Sequence, residues 1–308
     1  MEKENLIKKI KKLKRKREAI IIAHVYQRDE IQKIADFTGD SLFLSRVAMN
    51  TKAKVILFCG VRFMAETAAV LNPDKIVLIP EKNAGCPLAD TITPSKLKEK
   101  KREYPEARVV SYVNSSAEIK AESDLCCTSA NAIEVVNSLK EEQILFVPDK
   151  NLGRFVASHT DKDVILWDGF CYVHHLCIKA EDIKEMKIKH PRAKVIVHPE
   201  CPEEIINMAD FIGSTSQMAD YVSKSNSQEF IVGTEIGMLF NLKFHNPEKR
   251  FYPASEKAIC EDMKLTTLEK IASSLEKMEY QVKVPKKIEI KAKKSLNKML
   301  EIKHENKR

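Results

Sequence analysis

The stretch AIIIAHVYQRDEIQKIADFTGDS, which runs from residue 19 to residue 41, decides the fold because it recurs twice without a gap. ARVVSYVNSSAEIKAESDLCCTS begins at Ala107 and AKVIVHPECPEEIINMADFIGST at Ala193, which lie 88 and then 86 residues further along the chain. Each copy opens on a short apolar run and then places an isoleucine and an aspartate at matching positions. A repeat of this period predicts several copies of one structural unit.

Each copy continues with features of an α/β unit. The apolar runs AIIIA (19–23), KVILF (54–58) and KIVLI (75–79) are continuous rather than alternating, which is typical of parallel strands buried on both faces. The amphipathic stretches RDEIQKIADF and VRFMAETAAVL predict crossover helices between those strands. The predicted order is therefore strand, helix, loop, helix, strand, helix, strand.

The sequence thus predicts an α/β fold of three homologous three-layer α/β/α units, with parallel sheets arranged about a pseudo-threefold axis. The expected units are residues 19–103, 104–190 and 191–275, because a proline in YPEA and in HPRA precedes each new first strand. A basic N-terminal helix over residues 1–18 and a basic C-terminal segment over 276–308 are expected to pack outside these units.

Composition narrows the class of protein. Of the 308 residues, 44% are hydrophobic and 31% charged, which is typical of globular chains and not of disordered or fibrous ones. No apolar run reaches the roughly 18 residues of a membrane span, and the basic start is followed too soon by charge for a signal peptide. Eight cysteines in such a chain are expected to be reduced thiols, so we expect a cytoplasmic location and no membrane partner.

The net charge of +8 lies at the two ends of the chain. Residues 1–18 hold nine Lys/Arg and three Glu, and residues 276–308 hold eleven basic and five acidic residues, so the intervening stretch is net −4. Charge runs of this kind usually form solvated helix faces. We therefore expect no nucleic-acid partner.

Three of the eight cysteines follow the repeat. Cys86, Cys171 and Cys260 lie 85 and 89 residues apart, each shortly after the last predicted strand of its unit. Because ligands of parallel sheets bind beyond the carboxyl ends of the strands, these three thiols are expected to meet at one point. Three thiolates suit a [4Fe–4S] cluster with one open iron, or a zinc site with an open fourth position. The alternative is three buried cysteines that behave as small apolar residues.

The remaining cysteines show no such pattern. The chain has no CxxC pair, which excludes a zinc ribbon or a thioredoxin-type motif on spacing. Cys177 is expected to be structural. His174 and His175, next to Cys171, are expected to lie in the pocket or behind the metal ligands, with satisfied core histidines as the alternative. The cysteines outside the repeat pattern are Cys59, Cys126, Cys127, Cys177 and Cys201.

Polar residues recur at the end of each first strand. Two positions of each copy, two residues apart, are expected to point to one face because strand side chains alternate. A hydroxyl residue further on is expected to be a helix N-cap and, in the functional interpretation, part of an anion site. These positions hold His24, Tyr112 and His198; then Tyr26, Asn114 and Glu200; then Ser41, Ser129 and Thr215.

These residues together resemble a known enzyme family. HVYQRDEIQKIADFTGDSL, YVNSSAEIKAESDLCCTSANA, VPDKNLGRFVA, WDGFCYVHHL, HPECPEEI and GTEIGMLFNL are similar to stretches of quinolinate synthases, and the resemblance extends from residue 20 to about 270. It implies three related α/β domains around one [4Fe–4S] cluster held by three cysteines. It also implies a transferase that condenses iminoaspartate, the product of L-aspartate oxidase, with dihydroxyacetone phosphate to give quinolinate, phosphate and water.

The resemblance assigns roles to individual residues. The cluster ligands would be Cys86, Cys171 and Cys260, although Glu261 stands where family members often have proline. His24, Tyr26, His198 and Glu200 would supply acids and bases, with Glu200 as general base. L-aspartate oxidase is a candidate partner. The substrate-binding positions would be His24, Ser41, Tyr112, Val113, Asn114, Ser129, His198, Pro199, Glu200 and Thr215.

Two other functions fit parts of the pattern. Another hydro-lyase with a [4Fe–4S] cluster would use the open iron in the same way, and substrate trials would separate the two enzymes. An iron–sulfur or zinc sensor would use the basic termini on nucleic acid and would show salt-dependent binding that is lost when those termini are deleted.

Overall fold

The computed structural model describes residues 2–302, and those residues form three sets of four strands. The first set is β1 (Ala19–His24), β2 (Phe37–Gly39), β3 (Val55–Cys59) and β4 (Ile76–Leu78). The second is β5 (Arg108–Tyr112), β6 (Leu125–Cys127), β7 (Gln143–Val147) and β8 (Asp163–Leu166). The third is β9 (Lys194–Val197), β10 (Phe211–Ile212), β11 (Glu229–Gly233) and β12 (Arg250–Pro253).

Helices connect the strands and cover both ends of the chain. Up to the start of the second sheet they are α1 (Glu2–Lys16), α2 (Asp29–Ile34), α3 (Ser41–Asn50), α4 (Arg62–Leu71), α5 (Pro87–Asp90) and α6 (Pro94–Glu103). The second unit adds α7 (Ala117–Ala121), α8 (Ala132–Asn137), α9 (Lys150–Ala157), α10 (Tyr172–Leu176) and α11 (Ala180–Lys189). The remainder are α12 (Glu203–Ile206), α13 (Thr215–Lys224), α14 (Met238–His245), α15 (Glu261–Lys264), α16 (Leu268–Lys277) and α17 (Lys286–Glu301).

The three sheets are parallel and share one strand order. The orders are β2-β1-β3-β4, β6-β5-β7-β8 and β10-β9-β11-β12, which confirms the prediction of parallel α/β units. The short strands β2, β6 and β10 lie where a loop was predicted, so that part of the prediction is wrong. Each has only two or three residues, too few to produce an apolar run in the sequence.

The recurring aspartates hold each first strand to the segment that follows it. Each carboxylate accepts a backbone N–H from a first strand fifteen residues earlier, at 2.8–3.0 Å, and we call these three residues the strand clips. They explain why aspartate recurs at this position in all three copies. The pairs are Asp36 with Ile21, Asp124 with Val109, and Asp210 with Val195.

Both faces of each sheet are covered, as the three-layer prediction requires. In the first sheet Ile20 and Ile22 belong to a core with α3 and α4, whereas Ile21 and Ala23 belong to a core with α1 and α16. Adjacent residues of the second and third sheets are divided between two cores in the same way. Neighbouring strand residues therefore face opposite helix layers.

The two terminal regions pack outside the sheets: α1 on the first unit, and α17 on the second unit and on α4 of the first. Ile10 of α1 is buried with Leu268 and Leu275 of α16 on the first sheet, so the expected boundary at residue 275 falls inside a helix that covers the first unit. α17 packs against α7 and β6 of the second unit. Residues 303–308, the end of the expected basic segment, lie outside the described residues.

The three sheets bring their carboxyl ends to one pocket, lined by residues from all three units. The three sheets lie wholly within the expected ranges 19–103, 104–190 and 191–275. The pseudo-threefold axis and the domain boundaries themselves stay predictions. Within residues 2–302, no helix combines the length and the apolar character needed to cross a bilayer.

Candidate active site

The central pocket collects most of the predicted site residues. It encloses a cavity of about 70 Å³. Val113 and Pro199 do not belong to its lining, because they are the buried neighbours of residues that do. The predicted residues that line it are His24, Tyr26, Ser41, Cys86, Tyr112, Asn114, Ser129, Cys171, His174, His198, Glu200, Thr215 and Cys260.

The second polar residue of each copy reaches the pocket from a turn. β1 ends at His24 and β9 ends one residue before His198. The backbone then turns, with Gln27 donating to the carbonyl of His24 and Cys201 donating to that of His198. Tyr26 and Glu200 therefore face the pocket because of the turn, and the predicted strand alternation was the wrong reason for a correct placement.

The three recurring cysteines occupy equivalent places at helix starts. Cys86, Cys171 and Cys260 are the N-cap residues of the short helices α5, α10 and α15, and all three thiols are free. The backbone N–H groups of Ala89, His174 and Met263, in the first turns of these helices, lower the pKa of the three thiols in turn. Helix starts of this kind favour the thiolate form that ligates metals.

Burial makes these thiols hard to ionise in the absence of a cation. Burial is the main cause that raises the pKa of Cys260 to about 11, and it raises the pKa of Cys86 and Cys171 further. The negative charges that Cys86 and Cys171 would carry oppose one another. A metal centre with positive charge would remove this penalty, so the donor set fits a metal centre.

A second group of donor atoms adjoins Cys171. Its Sγ, a ring nitrogen of His174 and a carboxylate oxygen of Glu200 all lie within 4.8 Å of one another, a spacing that suits metal binding. Nδ1 of His174 and Oε1 of Glu200 are buried and have no hydrogen-bond partner. Polar atoms left in this state at the wall of a pocket point to a bound group that would satisfy them.

The five other cysteines do not line this pocket. Cys126 donates to Ser295 of α17 at 3.4 Å, and Cys201 to the carbonyl of Gly233 at 3.6 Å. Burial raises the pKa of Cys59 and Cys127, and Cys177 is half-buried on the far side of α10. These contacts are consistent with structural thiols.

A chain of polar contacts crosses the pocket and joins the units. The Tyr26 hydroxyl lies 2.6 Å from Oγ1 of Thr234, which lies 2.8 Å from Nε2 of His174. Nδ1 of His174 is 3.0 Å from Oε2 of Glu200, close but not aligned as a hydrogen bond. The contacts continue from Glu200 to Nδ1 of His198 at 3.2 Å and from Nε2 of His198 to Ser129 at 3.1 Å.

Glu200 is ionised in this environment. Burial alone would raise its pKa, but His174 and His198 outweigh burial and hold the pKa of Glu200 below its usual range. The two imidazoles beside the carboxylate are the reason.

Four other side chains of the pocket, those of His24, His198, Tyr26 and Tyr112, are neutral. Burial lowers the pKa of His24 to about 3 and also lowers that of His198. Burial and the charge of Glu200 raise the pKa of Tyr26 and Tyr112, so both phenols stay protonated. The pocket therefore places the ionised Glu200 beside the neutral imidazoles of His24 and His198 and two neutral phenols, which can donate or accept protons.

The predicted N-cap roles are wrong by one residue or more. Asp40 caps α3 by accepting the N–H of Phe43, so Ser41 is the first helical residue. Ser214 caps α13 with a capping box, so Thr215, like Ser41, is the first helical residue and not the cap. In the second unit Asn131 precedes α8, two residues after Ser129. The three hydroxyls are thus free of capping and line the pocket.

Sequence reasoning also misassigned or missed several residues. His175 contacts Asn151 at 2.9 Å and does not line the pocket, because it is one step around α10 from His174. Thr234 was missed because its counterparts in the other units are Gly60 and Pro148, so no pattern marks it. Glu235 was missed because its counterparts, Val61 and Asp149, do not repeat one residue type.

The comparisons with known proteins agree with this geometry. The family described as "NadA: Quinolinate synthetase A protein" matches residues 8–301. The chain belongs to the quinolinate synthase family. Its similarity to individual quinolinate synthases covers nearly the whole length of both chains. Quinolinate synthase 2 of Methanosarcina acetivorans is 53% identical over 302 residues, covering 98% of this chain and 97% of that protein.

Two bacterial relatives show the same extent of similarity. The quinolinate synthase of Dehalococcoides mccartyi strain 195 is 54% identical over 294 residues, covering 96% of this chain and 97% of that protein. That of Thermodesulfovibrio yellowstonii is 53% identical over 295 residues with the same coverage. The family resemblance stated from the sequence is therefore confirmed, and the chain is an enzyme of this family.

Proposed function

We propose that this chain condenses iminoaspartate with dihydroxyacetone phosphate to give quinolinate, phosphate and water, with a [4Fe–4S] cluster in the central pocket. The observation that supports this most is the convergence of three thiols, one from each unit, beside an ionised carboxylate. A hydro-lyase of another kind would share these groups, but the chain's relatives are named as quinolinate synthases.

Cys86, Cys171 and Cys260 would hold one cluster per chain and leave one iron open. Such a cluster supplies a Lewis acid that can polarise a substrate oxygen or nitrogen. The thiols fit this role because each stands at a helix start, where nearby backbone N–H groups lower the pKa of the thiol.

The hydroxyl residues of the pocket suit the anionic groups of the substrates. Ser41 and Thr215 begin α3 and α13, which have ten residues each, so their hydroxyls stand where first-turn N–H groups are unpaired. Ser129, Tyr112 and Asn114 line the same pocket. These groups would bind and orient two carboxylates and a phosphate.

Glu200 would act as the general base. It is ionised, and its Oε1 has no hydrogen-bond partner and is therefore free to accept a proton from the substrate. His174 and His198 would stabilise the charge of Glu200 before transfer. Tyr26, a neutral phenol in contact with Thr234, would donate a proton to a leaving hydroxyl, and the contact between Thr234 and His174 would allow its replacement.

The location and the partner remain proposals of the same kind. All eight cysteines are free thiols, which suits the reducing cytoplasm. Iminoaspartate must come from an enzyme that oxidises aspartate, so L-aspartate oxidase is the partner we propose. Nucleic acid and membranes have no part in this proposal.

The test is an anaerobic assay of quinolinate formation from the two substrates, together with iron and sulfide content. The wild-type chain should carry about four irons and form quinolinate. Cys86→Ser should lose both the cluster and the activity, since it removes one ligand.

Cys177→Ser is the matched control because Cys177 is a half-buried thiol outside the pocket. It should keep the iron content and the activity of the wild type. Iron bound without quinolinate formation would favour another hydro-lyase. Loss of the cluster from Cys126→Ser or Cys177→Ser would show that the repeat selected the wrong thiols.

A further inference from the structure

The residues that follow the third strand of each unit, β3, β7 or β11, occupy equivalent positions. Ile20 pairs with Ile56, Arg108 with Ile144 and Lys194 with Phe230, so these three strands have the same register. Five residues beyond those partners lie Val61, Asp149 and Glu235. Two of the three units therefore place a carboxyl group where the first has an apolar side chain.

Asp149 is fully buried and contacts the loop that carries Cys171. Its Oδ2 accepts the backbone N–H of Cys171 at 3.1 Å, and its Oδ1 accepts that of Leu152 at 2.8 Å. Gly169 fits beside this contact only because it lacks a Cβ, which would come 2.4 Å from the carbonyl of Pro148. The carboxyl group thus joins the end of β7 to the Cys171 loop.

Glu235 does the same for Cys260. Its Oε1 accepts the backbone N–H of Cys260 at 3.1 Å, and its Oε2 accepts that of Gly237 at 2.7 Å. Lys264 lies 2.8 Å from Oε1, which compensates the charge of this fully buried group. A Cβ on Gly237 would come 2.9 Å from the backbone of Tyr26, so this loop is also fitted closely against the first unit.

The loop that carries Cys86 receives its carboxylate from another unit. Val61 offers no acceptor there. Instead Oδ1 of Asp262, two residues after Cys260, accepts the backbone N–H of Gly85 at 3.0 Å. This contact links the Cys86 loop directly to the Cys260 loop.

We propose that Asp149, Glu235 and Asp262 are positioning residues that hold the three cysteine loops in the arrangement required by the metal centre. We call them the loop clips. The inference rests on the proposed function in that it takes these three cysteines as the ligands. Because each clip accepts a backbone N–H at or next to a ligand cysteine, its loss would leave the thiol in place and free its loop to move.

The test compares the wild type with Asp149→Asn, Glu235→Gln and Asp262→Ala, each purified and reconstituted anaerobically. An amide retains one acceptor oxygen and presents an NH₂ group to the other backbone N–H, so each buried clip loses one contact. We expect the half-life of the cluster absorbance under excess chelator to fall about 10- to 100-fold, the usual range for such outer residues. The EPR spectrum of the reduced cluster should also shift.

Asp210→Asn is the matched control. This strand clip accepts a backbone N–H at 2.8 Å in the same way but lies outside the pocket lining. It should leave the chelator half-life within about twofold of wild type and the EPR spectrum unchanged. If it shortens the half-life as much as Asp149→Asn does, the clips act only through general stability and the inference is wrong.

Circular dichroism shows whether each variant folds. If a buried clip variant does not fold, Asp262→Ala decides the question, because Asp262 is only half-buried and alanine removes the oxygen that accepts the N–H of Gly85. Folded loop-clip variants with the wild-type half-life would overturn the inference. A wild-type chain that holds no cluster would overturn the proposed function instead, so the two failures are distinguishable.

Discussion

The strand clips and the loop clips use the same chemistry but differ in how they follow the repeat. The strand clips are aspartates at one position in all three copies, each on a first-strand N–H. The loop clips do not repeat in this way. At the equivalent positions after β3, β7 and β11 the three units have Val61, Asp149 and Glu235. The residues that hold the strands of each sheet together are repeated in all three units. The residues next to the shared pocket differ between units, because each unit contributes a different part of one asymmetric site.

The largest effect is expected on turnover, from a substitution of Glu200 in the pocket. Glu200→Gln preserves shape and removes the base, so turnover should fall on the order of 10²- to 10⁴-fold. Substrate binding and cluster content should persist. The measurement is kcat with iron content determined in parallel, and Glu203→Gln, which alters an exposed carboxylate nearby, is the control. Turnover within a few-fold of wild type would leave Tyr26 or His198 as the base.

The strand clips should produce equal effects in the three units. Asp36→Ala, Asp124→Ala and Asp210→Ala each leave a strand N–H without its acceptor, which should lower the free energy of unfolding by about 1.5–3 kcal/mol. Their exposed ion pairs with basic residues add little. Denaturant titration measures this, and kcat should not change in the folded fraction. A strand-clip variant that impairs turnover without loss of stability would contradict the conclusion that the strand clips serve the sheets and not the pocket.

The buried His24 of the pocket should make the stability of the protein depend on pH. Its pKa is about 3 in the folded chain and 6.5 ordinarily, mainly because of burial. Below pH 6.5 the unfolded chain therefore binds a proton that the folded chain excludes, and stability should fall by up to about 1.4 kcal/mol per pH unit as the pH drops towards 3. Denaturant titrations at pH 6, 5 and 4 should show a shallower decline for His24→Gln. Equal slopes would mean that His24 is protonated in the folded protein.

The smallest effects are expected from two neighbouring hydroxyls at the start of α13. Ser214 caps the helix and does not line the pocket, so Ser214→Ala should cost about 1 kcal/mol of stability without a change in KM. Thr215 lines the pocket without capping, so Thr215→Val should raise KM at nearly constant stability. Melting temperature and steady-state kinetics on both variants measure the two quantities. The reverse pattern would restore the N-cap role that the sequence predicted for Thr215.

Sequence reasoning predicted the parts of the molecule that are repeated. The apolar runs gave the central strands, because residues such as Ile20–Ala23 must be apolar to be buried on both faces. The meeting of Cys86, Cys171 and Cys260 in one pocket followed from their spacing. Thr234 could not be predicted, because it acts through contacts with other units and its counterparts, Gly60 and Pro148, carry no polar side chain. Asp149 and Glu235 are equivalent to each other, but the first unit has Val61 there, and their contacts with the cysteine loops leave no pattern in the sequence. The edge strand at Phe37–Gly39 was too short to leave a pattern.

The position of α16 has a consequence for the order in which the chain is made. α16 is the helix that completes the cover of the first sheet, yet it lies after the third unit in the sequence. During synthesis the face of β1 that carries Ile21 and Ala23 therefore keeps part of its apolar surface exposed until residues 268–277 have emerged. Cys260 precedes that helix by only a few residues. Closure of the first core and completion of the set of three pocket cysteines therefore both await the emergence of residues 260–277.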